Sequence, residues 1–314
     1  MCIRDSYHGI TVLSGGRHTL KNLTINGHSG ENICGVAMFD TRDNTLSNNI
    51  IKTNGVGVML LRSHENEIVL GEIHHNDHQG IDLNRSHDNM IKQIDLQFNN
   101  GKSTGFLAAN GAIRLHKSDR NTIMLNTLID NNYSGILLKV SSDNLLSHNT
   151  LIDNHQMGIV INDSHRNRIS RNKIEHNDTA GIQLYYSNNN QITNNHVAFN
   201  GVGVKEANCL DNVWHGNYIW FNLKIYSGCG YHGVASMSSF IGNTITGDKG
   251  DAIYLEQGAN PIIRKNNIFD NDGAGLTNID TTVSVIADQN WWGDPAGPGA
   301  NQTVQGNVTV QQWA

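Results

Sequence analysis

Short apolar segments recur along this chain at a nearly constant interval. A Gly-Ile/Val-x-Leu/Ile tetrad recurs in steps of 23 residues, from 57 to 80, from 135 to 158 and from 158 to 181. A variant that begins at Ala112 divides the remaining step into 32 and 23 residues. Two Asn-x-apolar triplets follow most tetrads, for example at Asn144 and Asn149. Three apolar segments in about 22 or 23 residues predict three strands per coil of a repeat.

Alternation within the tetrads sets the direction of each side chain. A period of two places Ile81 and Leu83 inside the coil and Asp82 and Asn84 outside. Corresponding residues of successive coils then stack into an apolar column that no coil can bury alone. We expect this column to contain Ile81, Leu83, Ile113, Leu115, Ile136, Leu138, Ile159, Ile161, Ile182 and Leu184.

A coil of this length is too short for a strand and a helix, which excludes the leucine-rich horseshoe. The sequence therefore predicts an all-β protein, a single right-handed parallel β-helix with three strands per coil. We expect one domain over residues 1–314, without a hinge. The period becomes irregular from about Gly203 and returns near Asp251.

The two ends of the chain differ from the repeat. Residues 286–314 contain Trp291 and Trp292 followed by two prolines, and we expect them to cap the apolar column. At the other end, residues 1–6 change abruptly into repeat-like sequence, which predicts a truncated N-terminus that no longer carries an export signal.

Composition narrows the possible functions. Asparagine is abundant, and Asn at the same corner of successive coils can form side-chain ladders. The net charge of −6 argues against nucleic acid as a partner. No apolar run approaches the roughly 20 residues of a membrane span. Cys209 and Cys229 lie 20 residues apart, so a disulfide is possible, although buried free thiols are the favoured interpretation.

The repeat and its ending resemble a known superfamily. The Gly-Ile-x-Leu-x-x-Ser-x-x-Asn coils and the Asn-Trp-Trp-Gly ending at 290–293 are similar to pectate-lyase-like β-helices, particularly the NosD-like and carbohydrate-binding and sugar hydrolysis repeat proteins. The resemblance covers nearly the whole chain and implies the fold and an extracellular or periplasmic location. It leaves function open, because this scaffold carries lyases, epimerases, hydrolases and non-catalytic periplasmic proteins.

Two strings, 78–82 and 135–143, also look like segments of the catalytic module of alginate C5-epimerases. Those enzymes carry an Asp-Pro-His-acid string, and its nearest counterparts here, 59–62 and 82–85, lack the His. The paired Asp of polygalacturonases and the Arg-x-Pro-x-x-Arg of pectate lyases are missing as well. The missing motifs disfavour a hydrolase or a pectate lyase. The resemblance therefore favours an epimerase or a lyase of another kind, although the catalytic string of the epimerases has no full match in this chain.

Polar residues gather on the outward face of four neighbouring coils. With strands about 4.8 Å apart they predict a patch on the order of 15 Å long, formed by Asp82, Asn84, Arg114, His116, Lys139 and Asn162. Lys117, Gln183 and Tyr185 extend it, and with Asn84 and Asn162 they are the predicted substrate contacts. An insertion at 99–110 predicts a loop beside the patch, since extra residues in a solenoid often emerge on the binding face.

These residue types suit one reaction family. Removing the C5 proton of a uronic acid needs a cation for its carboxylate and a base near the carbon. We predict that Arg114 binds the carboxylate as a bidentate fork and that His116 or Lys139 is the base. Asp82 and Asn84 are predicted to hold Ca²⁺ through oxygen ligands. Lys205 is predicted to matter little.

The alternative is a non-catalytic protein, because charged residues on a solenoid usually serve solvation. His64 and His87, one coil apart, invite a comparison with copper-site maturation by NosD-like proteins, although no Cys or Met completes a ligand set. The leading hypothesis is a monomer that acts on an acidic polysaccharide as lyase or C5-epimerase. The second is a periplasmic or surface β-helix that binds glycan or serves copper maturation.

Overall fold

The structure, a computed structural model, describes residues 8–30, 32–100, 110–223, 229–299 and 302–313, which form strands and turns without a helix. None of this described part therefore provides a helix that could cross a membrane. The chain forms two compact units, residues 1–160 and 161–314. Each is described by itself, and the expected single domain over 1–314 remains a prediction.

Unit 1 contains fifteen strands and the start of a sixteenth. They are β1 (Ile10–Gly16), β2 (Thr19–Lys21), β3 (Thr24–Asn26), β4 (Cys34–Arg42), β5 (Thr45–Lys52), β6 (Val56–Leu61), β7 (Glu67–His74), β8 (Ile81–Asn84), β9 (Met90–Gln97), β10 (Gly111–His116), β11 (Thr122–Met124), β12 (Thr127–Ile129), β13 (Ser134–Lys139), β14 (Leu145–Ser147), β15 (Thr150–Ile152) and β16 (Met157–Asn162), whose last residues belong to unit 2.

Unit 2 continues with shorter strands. They are β17 (Arg168–Ser170), β18 (Lys173–Glu175), β19 (Ala180–Tyr185), β20 (Gln191–Thr193), β21 (His196–Ala198), β22 (Val202–Ala207), β23 (Leu210–His215), β24 (Tyr218–Trp220), β25 (Tyr231–Val234), β26 (Met237–Ile241), β27 (Thr244–Thr246), β28 (Ile253–Glu256), β29 (Ile262–Arg264), β30 (Asn267–Phe269), β31 (Leu276–Asn278), β32 (Val285–Ile286), β33 (Val304–Gly306) and β34 (Val308–Thr309).

Every pairing within a unit is parallel, and each strand pairs with its counterpart in the next coil. In unit 1 one long sheet runs in the order β1-β4-β6-β8-β10-β13, and in unit 2 its counterpart runs β19-β22-β25-β28-β31-β33. The shorter strands form the remaining sides of each coil. Each unit has the predicted fold, a right-handed parallel β-helix.

The inward columns confirm the predicted register. Ile113 pairs with Ile81 and with Ile136, and Leu115 pairs with Leu83 and with Leu138. All ten residues predicted to point inward are 0% exposed. Each buried Ile or Leu contributes on the order of 2 kcal/mol relative to an exposed one, so the columns supply most of the stability of a coil.

Asparagine ladders turn the corners. The Asn44 amide donates to Asn66 at 2.8 Å, Asn66 to Asn89 at 3.0 Å and Asn89 to Asn121 at 3.0 Å. The residue before each ladder Asn has a left-handed backbone, as at Asp88 (φ 58°). That conformation costs roughly 1–2 kcal/mol for a residue with a Cβ, and the ladder hydrogen bonds, about 1 kcal/mol each, offset it. The expected stacking of Asn corners is confirmed.

Unit 2 buries larger and more polar groups. The Glu206 carboxyl accepts hydrogen bonds from Tyr231 and Ser238, both at 2.7 Å, and its burial raises its pKa. Cys209 and Cys229 are buried free thiols, as favoured from the sequence. Near the end of the chain Trp292 is fully buried, which agrees with the structural role expected for it.

Candidate functional site

Six predicted site residues come together in unit 1, where β8, β10 and β13 lie side by side. Arg114 pairs in register with Asp82, and His116 pairs with Asn84 and Lys139. We call Asp82, Asn84, Arg114, His116, Lys117 and Lys139 the unit 1 patch. Lys117 and Lys139 are exposed, whereas Asn84 and His116 are half-buried.

An ion pair occupies the centre of the patch. Arg114 donates from Nε and Nη2 to the two Asp82 oxygens at 2.8 and 2.7 Å. The Asp82 side chain is only 7% exposed and that of Arg114 28%. Asp82, one coil away in the same row, therefore takes the bidentate fork that the sequence assigned to a substrate. Nη1 of Arg114 has no hydrogen-bond partner among the described residues.

The Asp82–Arg114 ion pair opposes binding of Ca²⁺ at the predicted calcium ligands. Because both Asp82 oxygens accept hydrogen bonds from Arg114, Ca²⁺ at Asp82 and Asn84 would compete with a guanidinium that already balances the carboxylate charge. No group of three or more His, Cys, Asp and Glu side chains that could hold a metal ion occurs in the described ranges.

His116 has the properties of a base. Its pKa is lowered, first by burial and then by the positive charges of Arg114 and Lys117 and that of Lys139. The imidazole is therefore neutral at pH 7 and can accept a proton.

The other predicted contacts lie in unit 2. Gln183 is half-buried and pairs with Lys205, while Tyr185 is 37% exposed and packs edge-on against Tyr186 at 4.3 Å. Asn162 is half-buried at the end of β16.

Most of the predicted insertion, residues 101–109, lies outside the described residues. Of its predicted first residues, Asn99 is a buried ladder residue whose amide donates to Asn131 at 3.1 Å. At its other end, Asn110 accepts a hydrogen bond from Gln79 at 2.7 Å.

Sequence reasoning missed a second group of titratable side chains, on the long sheet of unit 2. Lys205, His232 and Tyr254 pair in register on β22, β25 and β28. His232 Nε2 lies 3.1 Å from an oxygen of Glu256, and the ring packs edge-on against Tyr254 at 5.4 Å. We call these four residues the His232 centre. Lys205, which the sequence predicts to matter little, lies beside His232.

Burial and charge tune this centre. The His232 side chain is 11% exposed, and burial followed by the positive charge of Lys205 lowers its pKa, although Glu256 opposes this. Burial followed by the charge of Glu256 raises the pKa of Tyr254. The centre therefore combines a neutral imidazole, a protonated phenol and an ammonium group on one face.

A resident copper ion does not fit the described donors. His64 and His87 stack in parallel with ring centroids 5.2 Å apart, and each Nδ1 accepts a backbone N–H, from His87 and Asp119 respectively. Burial raises the pKa of the Cys34 and Cys209 thiols to about 12, so these sulfurs are not thiolates at neutral pH.

Solved structures share the fold. The surface adhesin PfbA of Streptococcus pneumoniae is 11% identical with a TM-score of 0.63, over 86% of this chain and 84% of its own. A mutant of the periplasmic alginate epimerase AlgG is 14% identical with a TM-score of 0.61, over 84% and 71%. The Dettilon tailspike protein is 15% identical with a TM-score of 0.55, over 95% and 61%. At such identities the likeness concerns the fold alone.

No curated protein matches the chain in sequence. The family model described as periplasmic copper-binding protein (NosD) matches residues 2–110 and 94–227, more than half of the 314 residues. The chain therefore belongs to the NosD family.

Proposed function

We propose that this protein acts on an acidic, uronate-containing polysaccharide outside the cytoplasm, removing the C5 proton as the first step of β-elimination or epimerisation. A family described as periplasmic supports a location outside the cytoplasm, and a fold neighbour that is an alginate epimerase supports an acidic glycan as substrate.

The single observation that carries the proposal is the His232–Glu256 contact beside Tyr254 and Lys205. Glu256 orients the imidazole through Nε2, and Nδ1 has no partner among the described residues. Neutral His232 takes the C5 proton while Lys205 stabilises the resulting enolate. For epimerisation Tyr254 returns a proton to the other face of C5. For elimination the electron pair expels the O4 substituent instead.

A second position for the same step is the unit 1 patch. There His116 or Lys139 is the base, Arg114 offers Nη1 to the carboxylate, and Asp82 holds the guanidinium in place. Asn84 and Lys117 then contact sugar hydroxyls and carboxylates. Within unit 2, Asn162, Gln183 and Tyr185 stay predicted sugar contacts.

The test compares His232→Asn with His116→Asn and Lys139→Ala on alginate, pectate and glycosaminoglycans, with and without Ca²⁺. Unsaturated uronate is followed by absorbance, and C5 inversion by NMR. We expect His232→Asn to lower turnover by roughly 10² or more, the scale for a general base. His148→Asn is the matched control, because His148 is exposed and has a left-handed backbone (φ 56°) that Asn accepts readily.

Loss of turnover in His116→Asn or Lys139→Ala, with His232→Asn active, would move the reaction to the unit 1 patch. Full activity in all three variants would reject both positions. If no acidic polysaccharide yields a product, the enzymatic proposal fails in favour of a non-catalytic NosD-like or glycan-binding protein.

A further inference from the structure

Aromatic rings gather on a different side of unit 2, at the short strands β21 and β24 and the corners that follow the β18, β21 and β24 strands. We call His176, His196, Phe199, Tyr218, Trp220 and Phe221 the aromatic platform. His176, Phe199 and Phe221 occupy the same left-handed corner of three successive coils, with φ of 54°, 56° and 47°.

These corner rings form a ladder. His176 stacks on Phe199 with centroids 4.9 Å apart and planes 5° apart, and Phe199 stacks on Phe221 at 5.9 Å and 6°. Trp220 meets both Phe rings edge-on at 4.9 Å, and Tyr218 packs against Trp220 at 5.8 Å. At the next coil Gly247 allows Phe221 to lie flat, since a Cβ there would come within 2.9 Å of the ring.

Hydrogen bonds hold the platform in place. Trp220 Nε1 donates to His196 Nε2 at 2.8 Å, which requires a neutral imidazole with its proton on Nδ1. Burial lowers the pKa of His196, in agreement with that state. Glu175, which approaches Nε2 at 3.3 Å, is paired instead with Lys173 at 2.9 Å. The rings are therefore fixed before any ligand arrives, which reduces the entropy cost of binding.

Much of the platform faces solvent. Tyr218 is 40% and Phe221 43% exposed, and Leu223 beside them is 48% exposed. Exposed clusters of large apolar side chains on soluble proteins usually mark binding sites. The aromatic platform runs from coil to coil. At its border lies the exposed Lys173, which offers a polar ammonium group. The chain's net charge of −6 disfavours nucleic acid.

We propose that the aromatic platform binds a linear glycan, whose pyranose rings pack their C–H faces against Tyr218 and Trp220 and against the outward edges of the stacked Phe199 and Phe221 rings, while hydroxyls reach Lys173 and Glu175. A narrow row of rigid rings bordered by an ion pair suits a polymer with alternating apolar faces and hydroxyl edges. A protein partner would need about 800 Å² of surface on each side. This inference shares with the proposed function only the assumption that the ligand is a polysaccharide, because ring stacking needs no proton transfer.

The experiment measures binding of defined oligomers of mannuronate, galacturonate, glucose and xylose by titration calorimetry. We expect Phe221→Ala and Trp220→Ala to weaken binding about tenfold, which corresponds to about 1.4 kcal/mol. Trp220→Phe should lose less, because a ring face remains. Phe98→Ala is the matched control: Phe98 has the same corner backbone in unit 1 (φ 53°), is 45% exposed, and contacts a single ring, His75.

Wild-type affinity in Phe221→Ala, or no binding of any oligomer by the wild type, would overturn the proposal. A dimer in light scattering that Phe221→Ala dissociates would overturn it in favour of a self-association face. Failure of the proposed reaction is distinguishable, because calorimetry measures binding without turnover. If the wild type binds an oligomer and Phe221→Ala weakens that binding while no oligomer is turned over, only the proposed reaction fails.

Discussion

The long sheets of the two units place a carboxylate against a basic side chain in different ways. In unit 1 the carboxylate of Asp82 is paired with a guanidinium, which stays charged at every accessible pH, so the pair is static. In unit 2 Glu256 faces His232, whose charge changes near neutrality. Equivalent faces of one scaffold can therefore serve as a fixed support in one unit and as a proton-transfer centre in the other.

The largest expected effect tests the structural role of the unit 1 pair. Asp82→Ala should lower the free energy of unfolding by about 3 kcal/mol, because it leaves Arg114 charged, largely buried and unpaired. Glu256→Ala should cost under about 1 kcal/mol, since His232 can remain neutral. Urea unfolding measures both. Equal losses would remove the distinction between the two pairs.

The next largest expected effect concerns a corner ladder in which an aspartate, Asp248, takes the place of an asparagine. Asp248 occupies a ladder position between Asn222 and Asn271; its Oδ1 accepts from Asn222 at 2.9 Å, while Oδ2 is buried without a partner in the described structure. Burial raises its pKa to about 7. Since this folded-state pKa exceeds the unfolded value of about 3.9, its contribution is complete below pH 4 and is lost as pH rises through 7.

Asp248→Asn should therefore stabilise the protein by about 2 kcal/mol at pH 8 and by little at pH 4. Thermal unfolding across that range provides the measurement, and Asp270→Asn, at an exposed corner, is the control. Equal stabilisation at both pH values would show that folding does not raise the pKa of Asp248.

The smallest expected effect is a shift in the pH dependence of kcat/KM, and it separates the two candidate bases. A neutral His is the active form, so kcat/KM should fall as pH drops through a pKa below the usual 6.5. Lys205→Ala removes a charge that lowers the pKa of His232 and should move this limb to higher pH, while Glu256→Gln should move it to lower pH. If the limb instead moves with Lys139→Ala, His116 is the base.

The repeat made most of the fold predictable. Regular steps of 23 residues fixed the inward columns, as the paired Ile113 and Ile136 illustrate. The repeat period shows which outward residues share a row, but not which neighbours in that row pair with each other, so it does not predict the Asp82–Arg114 ion pair. Their register followed correctly from the sequence despite the 32-residue step between them.

The His232 centre was harder to find. Lys205 and His232 are 27 residues apart and Tyr254 follows 22 later, in a stretch where the Gly-Ile-x-Leu tetrad is replaced by Gly230-Tyr231-His232-Gly233. Without the tetrad these residues could not be placed on one row. The cause is local: Tyr231 turns its phenol inward to the buried Glu206, a partner that periodicity does not reveal.

The most direct measurement of the central claim is solvent-deuterium incorporation at C5. Wild-type protein is incubated with alginate or pectate oligomers in deuterated buffer. NMR then measures deuterium at C5, which reports proton removal by an epimerase. Unsaturated chain ends report elimination. We predict that wild type and His148→Asn give one of these signals and that His232→Asn loses it by roughly 10². Equal signals from wild type and His232→Asn, or no signal from any acidic oligomer, would contradict the account.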